Sequence, residues 1–222
     1  MLATFPKTNI AKRTSLTIIL RILNGLSSLI NLLRIYPKDI KASISGMFMV
    51  AFPRITFKNP IPTNMGDKRM KVLIMAGGYA TRLWPITKNK PKPLLPVGNK
   101  TIIEHILEKL ANIKYPIYVS TNKFFEKSFR EKLSKYDVEL IVENSYREEE
   151  KFGTIAAIKN AIETIGDDDY LIISGDNLFS LSIEDFLSRF DEVKKTLIAV
   201  YDIGDFELAK RYGVVVLEIL LG

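Results

Sequence analysis

From Met70 onward, short apolar runs alternate with stretches whose apolar residues recur at helical spacing, and this alternation restricts the fold more than any other feature of the chain. Lys71–Met75 (KVLIM), Pro116–Ser120, Val138–Val142, Tyr170–Ser174 (YLIIS), Thr196–Tyr201 and Gly213–Leu217 read as strands, several of them apolar on both faces. Thr101–Ile113, Lys123–Lys135, Gly153–Ile165, Ser182–Phe190 and Asp205–Tyr212 read as helices. In the first of these, Ile102, Ile103, Ile106, Leu107 and Leu110 form one face. Ser182 stands where a helix cap is expected, with Asp185 at the third helical position. Strands alternating with helices predict a Rossmann-like, doubly wound α/β fold, a mostly parallel sheet with helices on both faces. Ligands of such sheets bind at the carboxyl ends of the strands.

Composition removes several classes of function. The chain has 222 residues and no cysteine, which excludes disulfide scaffolds, zinc–thiolate sites and cysteine nucleophiles. Its single histidine, His105, argues against a histidine-built metal site or a Ser-His-Asp triad. The net charge of +7 suggests nucleic acid until it is divided along the chain. Residues 1–69 hold 11 Lys/Arg and 2 Asp/Glu, whereas residues 70–222 hold 21 and 23. The basicity therefore belongs to the N-terminal third, and the remainder gives no reason to expect a nucleic-acid partner.

Residues 1–69 read as a helical and irregular N-terminal extension. Between Ser15 and Tyr36, residues Leu16, Ile19, Leu20, Leu23, Leu26, Leu29, Ile30 and Leu33 recur at helical spacing, so an amphipathic helix over 15–36 is expected. Arg21, Gly25 and Arg34 interrupt the run too often for a membrane span. No small-residue cleavage site follows it, which argues against a signal peptide and for a cytoplasmic location. Residues 37–69 carry Pro37, Pro53, Pro60 and Pro62 and read as a linker. Three readings stay open: a membrane-surface helix, which is not the favoured one, a packing appendage, or upstream sequence ahead of a true start at Met70.

Two polar segments fall at the expected carboxyl edge. The first, Ala76-Gly77-Gly78-Tyr79-Ala80-Thr81-Arg82-Leu83-Trp84-Pro85, follows a strand directly. Its glycines let backbone N–H groups approach an anion, Thr81 offers a hydroxyl, and Arg82 a planar fork that matches phosphate oxygens. Lys92 lies between Pro91 and Pro93, which stiffen the chain around it. The Gly-Lys-Ser/Thr of a P-loop and the G-x-G-x-x-G spacing are both absent. The second segment is Gly175-Asp176-Asn177, where Asp176 offers a carboxylate of the kind that Mg²⁺ prefers alongside phosphate oxygens. Singly, each residue has an ordinary structural reading: a tight turn for the glycines, a surface ion pair for Arg82, a cap for Asp176. Together in one crevice they read as a polyphosphate cradle.

At these residues the chain resembles the sugar-1-phosphate nucleotidyltransferases, which include glucose-1-phosphate thymidylyl- and uridylyltransferases and mannose-1-phosphate guanylyltransferases. The family pattern Gly-Gly-x-Gly-Thr-Arg-Leu-x-Pro-x-Thr-x-x-x-Pro-Lys-Pro-x-x-Pro stands here as GGYATRLWPITKNKPKPLLP over residues 77–96. Ala80 replaces a glycine, so the loop is expected to pass through it with a negative φ. Phe152-Gly153-Thr154, Ser174-Gly175-Asp176-Asn177 and Arg211-Tyr212-Gly213-Val214-Val215 continue the resemblance in the family's order.

The resemblance implies an enzyme that converts a nucleoside triphosphate and a sugar 1-phosphate to a nucleotide sugar and pyrophosphate, with Mg²⁺ as cofactor. It implies that Ala76, Gly77 and Gly78 lie along the nucleotide and that Thr81 and Arg82 hold the triphosphate. Lys92 would neutralise charge between the α-phosphate and the sugar phosphate, Gly153 and Thr154 with Glu143 would face the base, Asp176 would bind the metal, and Gly213 would lie against the sugar. Arg82 and Lys92 are the expected catalytic residues. Where the family continues past the Tyr-Gly-Val-Val stretch to further sugar-contacting motifs and a second metal carboxylate, this sequence reaches Gly222, so residues 70–222 are expected to be a nucleotidyltransferase domain incomplete at its C-terminus. Two further readings are carried: a nucleotide-sugar-binding subunit without catalysis, and a transferase acting on a non-sugar phosphate such as phosphocholine. A homo-oligomer is one expectation for the assembly.

Overall fold

The computed structural model describes residues 15–18, 49–52, 70–150, 153–193 and 195–201. The strands are β1 (Ser15–Ile18), β2 (Met49–Phe52), β3 (Met70–Met75), β4 (Pro96–Val97), β5 (Lys100–Thr101), β6 (Ile117–Asn122), β7 (Glu139–Glu143), β8 (Asp169–Ser174) and β9 (Leu197–Tyr201). The helices are α1 (Ile102–Lys109), α2 (Glu126–Leu133), α3 (Thr154–Ile165) and α4 (Ile183–Val193). Among the described residues one sheet runs in the order β1-β9-β2-β8-β3-β6-β7, and β4 and β5 form a separate small hairpin. β8, β3, β6 and β7 are mutually parallel. The expected doubly wound α/β architecture is therefore present.

The alternation of side chains along the strands explains why helices cover both faces. On β3, Val72 and Ile74 join a cluster with Ile103 and Ile106 of α1, Phe129 of α2 and Phe186 and Phe190 of α4. Leu73, between them, turns to the other face and meets Ile158, Ala161 and Ile162 of α3. β8 repeats the division, with Leu171 and Ile173 in the first cluster and Tyr170 and Ile172 in the second. A parallel strand buried on both sides has no polar face, which is why KVLIM and YLIIS are continuous apolar runs. Each fully buried phenylalanine contributes about 2–3 kcal/mol of transfer free energy to this packing.

The extension departs from its expected form. Ser15–Ile18, the described part of the expected 15–36 helix, is a strand that pairs antiparallel with β9, from Ser15↔Tyr201 to Ile18↔Ile198. Met49–Phe52, inside the expected linker, is a strand inserted antiparallel between β8 and β9. Both segments carry β-branched residues (Thr17, Ile18, Val50), and a sheet ladder satisfies the backbone groups that a lone helix would satisfy internally. The rest of the expected helix and linker lies outside the described residues, as do the expected Asp205–Tyr212 helix, the Gly213–Leu217 strand and Gly213 itself.

Candidate active site

Parallel pairing brings the carboxyl ends of four strands to one edge. Met75 pairs with Ser174 of β8 and with Ser120 of β6, and Asn122, two residues further along β6, pairs with Glu143 of β7. Ala76 prolongs β3 by donating its N–H to Ser120 O at 2.7 Å. The glycine loop leaves from this point, and Gly175-Asp176 leaves from the neighbouring β8, so the two polar segments expected at the edge do meet there.

Gly175 is required for that meeting. Its N–H donates to Met75 O at 2.8 Å. A Cβ on residue 175 would fall 2.8 Å from the same carbonyl, closer than a side chain can stand, and a tight 3.1 Å from Ile74 Cγ2. The chain turns tightly over the end of β3 and delivers Asp176 to the loop. Across the gap, Lys92 opens a 3-10 turn, Lys92–Leu94, between buried Pro91 and Pro93. The turn closes through Leu94 N–H to Pro91 O at 2.9 Å and Leu95 N–H to Lys92 O at 3.0 Å. A proline on either side holds the backbone, and the lysine Nζ reaches Asp176 Oδ2 at 2.9 Å. The second carboxylate oxygen, Oδ1, accepts from Ser174 Oγ at 2.6 Å. Burial pushes the Asp176 carboxyl up, but the Ser174 hydroxyl and the Lys92 ammonium outweigh it, so the group is held below its ordinary value and is ionised at neutral pH. Both partners remain partly open, with 31% of the Lys92 side chain and 41% of the Asp176 side chain exposed.

The loop itself corrects one expectation. Ala80 has φ 51 and ψ 42, the left-handed region, not the negative φ expected for alanine. Its carbonyl explains the choice: Thr87 Oγ1 donates to Ala80 O at 2.8 Å and the Leu83 N–H donates to it at 2.9 Å. Thr87 is fully buried, so its hydroxyl has found its partner in this carbonyl. The left-handed turn costs an alanine about 1 kcal/mol, a sum that two hydrogen bonds offset. From Ala80 the chain enters the 3-10 turn Thr81–Leu83, in which Thr81 is half-buried and Arg82 exposed. Tyr79 secures the loop from inside: it is 6% exposed, and its ring centroid lies 5.6 Å from that of Phe125.

The other expected site residues are distributed along the same edge. Ala76 is buried, Gly77 half-buried and Gly78 exposed. Glu143 ends β7 and is only 5% exposed, and its carbonyl accepts from the Lys123 and Ser145 N–H groups at 2.9 and 2.8 Å. Its charge raises the pKa of the Tyr79 phenol, behind the larger effect of burial, so the two residues are close. Gly153 and Thr154 stand at the start of α3, where Gly153 takes a φ of 76 that only glycine adopts freely. Sequence reasoning overlooked Asn122, Thr87 and the partnership of Ser174 with Asp176. Only the first had a legible signal, an asparagine between a strand and a helix, where caps are common.

Among the described residues no three His, Asp or Glu side chains gather as a metal cluster. Asp176 stands as a single ionised carboxylate. One such oxygen donor suits Mg²⁺, which keeps several waters and takes its other ligands from substrate phosphates. No described helix is long and apolar enough to cross a membrane.

Known proteins with similar sequences carry the same segment. The chain is 36% identical over 146 residues to the bifunctional protein GlmU of Methanococcus maripaludis (strain C7), a match covering 66% of this chain and 32% of that protein. It is 31% identical over 156 residues to a mannose-1-phosphate guanyltransferase of Saccharomyces cerevisiae, covering 68% of this chain and 42% of that one. It is 28% identical over 151 residues to UTP--glucose-1-phosphate uridylyltransferase AglF of Haloferax volcanii, covering 66% and 60%. This chain thus spans less than two thirds of the length of each of these relatives. A family model described as nucleotidyl transferase matches residues 71–219, from the first residue of the KVLIM strand past the Gly213 stretch. On that match, which takes in well over half of its residues, the chain belongs to the nucleotidyl transferase family.

Proposed function

We propose that the chain transfers a nucleotidyl group from a nucleoside triphosphate to a sugar 1-phosphate, releasing pyrophosphate. The observation that carries this reading is the 2.9 Å approach of Lys92 Nζ to Asp176 Oδ2 beside the glycine loop. A partly open cation and a partly open carboxylate, held by stiff backbone at the carboxyl edge, suit a substrate that brings both phosphate anions and a metal ion. The names of the relatives support a sugar 1-phosphate as acceptor over other phosphates.

The reaction needs no protein nucleophile. An oxygen of the sugar phosphate attacks the α-phosphorus in line, the bond from that phosphorus to the bridging oxygen breaks, and its electron pair leaves with pyrophosphate. The protein contributes position and charge. In this reading Ala76, Gly77 and Gly78 run along the nucleotide, Thr81 and Arg82 hold the triphosphate, and Gly153, Thr154 and Glu143 line the base. Lys92 moves from Asp176 to the phosphates between which charge builds up. Asp176 would hold Mg²⁺ through its partly open carboxylate, and the ion would supply positive charge against the phosphates. Gly213 faces the sugar. A cytoplasmic location belongs to the same proposal.

The test is pyrophosphate release by the purified chain with Mg²⁺, using a matrix of nucleoside triphosphates against sugar 1-phosphates. Release with one matched pair is the expected result and names both substrates. Equal release with phosphocholine would move the acceptor outside the sugars. Nucleotide binding with no release from folded protein would overturn the catalytic reading in favour of a binding subunit.

A further inference from the structure

Asn122 is fully buried at the carboxyl end of β6, and both ends of its side-chain amide are used. Its Nδ2 donates to Gly77 O at 3.0 Å, and its Oδ1 accepts from the Phe125 N–H at 2.9 Å. One side chain therefore joins the glycine loop to the chain leading into α2. The second of these bonds has an ordinary explanation, since it serves a backbone N–H just ahead of a helix. The first does not. Gly77 belongs to no helix or strand, and a Cβ on it would meet only ordinary contacts, the nearest being Thr121 C at 3.8 Å. What the bond does fix is an orientation.

The peptide unit between Gly77 and Gly78 is planar, so its C=O and N–H point in opposite directions. With the Gly77 oxygen turned inward onto Asn122, the Gly78 N–H is turned away from β6. Gly78 is exposed, and a Cβ built on it would meet nothing within 4 Å, so the space beyond it is open. Glycine on both sides of this peptide makes either orientation accessible to the free backbone. Something outside the loop must choose between them.

We propose that Asn122 is the positioning residue that makes this choice, aiming the Gly78 N–H at a phosphate of the nucleoside triphosphate. The inference rests on the reading of the site as a triphosphate cradle. A carbonyl flipped outward in place of the N–H would meet the phosphate with an oxygen and repel it. Asn122 thus acts on the substrate only through Gly78, and it matters for the phosphates and not for the base or ribose.

The experiment compares affinities of the whole chain for a nucleoside triphosphate and for its own nucleoside, using whichever of ATP, CTP, GTP, UTP and dTTP binds most tightly. Asn122→Asp keeps the Oδ1 acceptor for Phe125 and removes the donor to Gly77. Asn122→Leu removes the donor without adding charge. Both variants are expected to bind the triphosphate ~10-fold more weakly, the worth of one hydrogen bond to an anion, and the nucleoside as the parent does. Equal weakening toward both ligands would show a merely structural role and overturn the proposal. Loss in the Asp variant alone would assign the effect to charge and also overturn it. Should neither variant fold, the parent chain supplies the measurement. Its Gly78 amide proton should move downfield on adding the triphosphate and stay put with the nucleoside, and an unmoved proton refutes the proposal. A parent chain that binds no triphosphate at all would instead bring down the site reading, whereas normal binding by parent and variants alike would bring down this inference alone.

Discussion

Glu104 and Asp176 are carboxylates held by the same kinds of partner in two different surroundings. Glu104 Oε2 accepts from Thr101 Oγ1 and Thr101 N, both at 2.8 Å, and from Lys132 Nζ at 2.9 Å, while Lys135 and the Tyr136 hydroxyl approach Oε1 at 3.2 Å. Asp176 has one hydroxyl, Ser174, and one lysine, Lys92. Both carboxyls are held below their ordinary values. Glu104, however, has only 5% of its side chain exposed and Asp176 has 41%. The partners of Glu104 come from the start of α1 and the end of α2, so its charge fastens two helices together. Those of Asp176 come from its own strand end and from a proline-flanked turn, so its charge stays available. Partner chemistry alone does not separate a structural carboxylate from a functional one. On the proposed reading of Asp176, exposure and a position at the carboxyl edge of a parallel sheet do.

The comparison predicts opposite effects at its two ends. Lys92→Ala should lower turnover by at least ~100-fold while barely moving the unfolding midpoint, because the pair is open and water replaces the lysine. Arg82→Ala should behave alike. Near-normal turnover in either variant, in a pyrophosphate-release assay, would remove that residue from the site. Glu104→Gln should do the reverse, costing about 2 kcal/mol of stability in urea unfolding with unchanged turnover per folded molecule. The acid limb sharpens the contrast. Lys132 and then the Thr101 N–H hold the folded Glu104 pKa below its ordinary 4.5, so its contribution is complete above about pH 4.5 and is lost as pH falls below that. The parent chain should therefore lose stability below pH 4.5 more steeply than Glu104→Gln, and parallel acid curves would show that Glu104 is not the fastening it is taken for.

Gly175→Ala tests the geometry between the two cases, since it leaves every charge in place. The new Cβ meets Met75 O at 2.8 Å, and a backbone carbonyl cannot swing aside as a side-chain end can. A cost of about 1–2 kcal/mol is expected, with a fall in turnover as Asp176 is pushed from Lys92. Loss of stability with full turnover would mean that the Lys92–Asp176 distance is not what matters.

The parallel half of the sheet was legible because its signal is local and redundant. KVLIM and YLIIS are apolar on both faces, and the helices between them show clear apolar faces. The site was legible to the extent that its residues lie in two short segments following strands. Lys92 and Asp176, 84 residues apart, are expected in one crevice because both follow strands of a parallel sheet and because of the family resemblance, and they do meet. What was not legible depends on partners distant in sequence. Ser15–Ile18 opens the 15–36 stretch whose periodicity reads as helix, yet it pairs as a strand with β9, and Met49–Phe52 likewise fits between β8 and β9. Glu104 reads as an ordinary helical glutamate until Lys132 and Lys135 arrive from the end of α2.

Ala80 carries the contrast into the backbone and sets the smallest effect. Thr101 and Ala80 each stand just before a helical turn. Thr101 has φ −83 and ψ 161, an unstrained extended conformation, whereas Ala80 has φ 51 and ψ 42. The sealed corner is relaxed and the open loop is not. Ala80→Gly should relieve about 1 kcal/mol of left-handed strain and give back roughly half of it through the added freedom of the unfolded chain, a net gain of about 0.5 kcal/mol. Thr87→Val removes the hydroxyl that holds the Ala80 carbonyl and should cost about 1 kcal/mol in the parent. If Thr87 is what keeps Ala80 left-handed, the loss should be larger in the Ala80→Gly background, where no strain is released to offset the lost hydrogen bond. Additive losses in the double variant, measured by urea unfolding, would show that the two residues act independently and that the strain at Ala80 is set by the glycine loop itself.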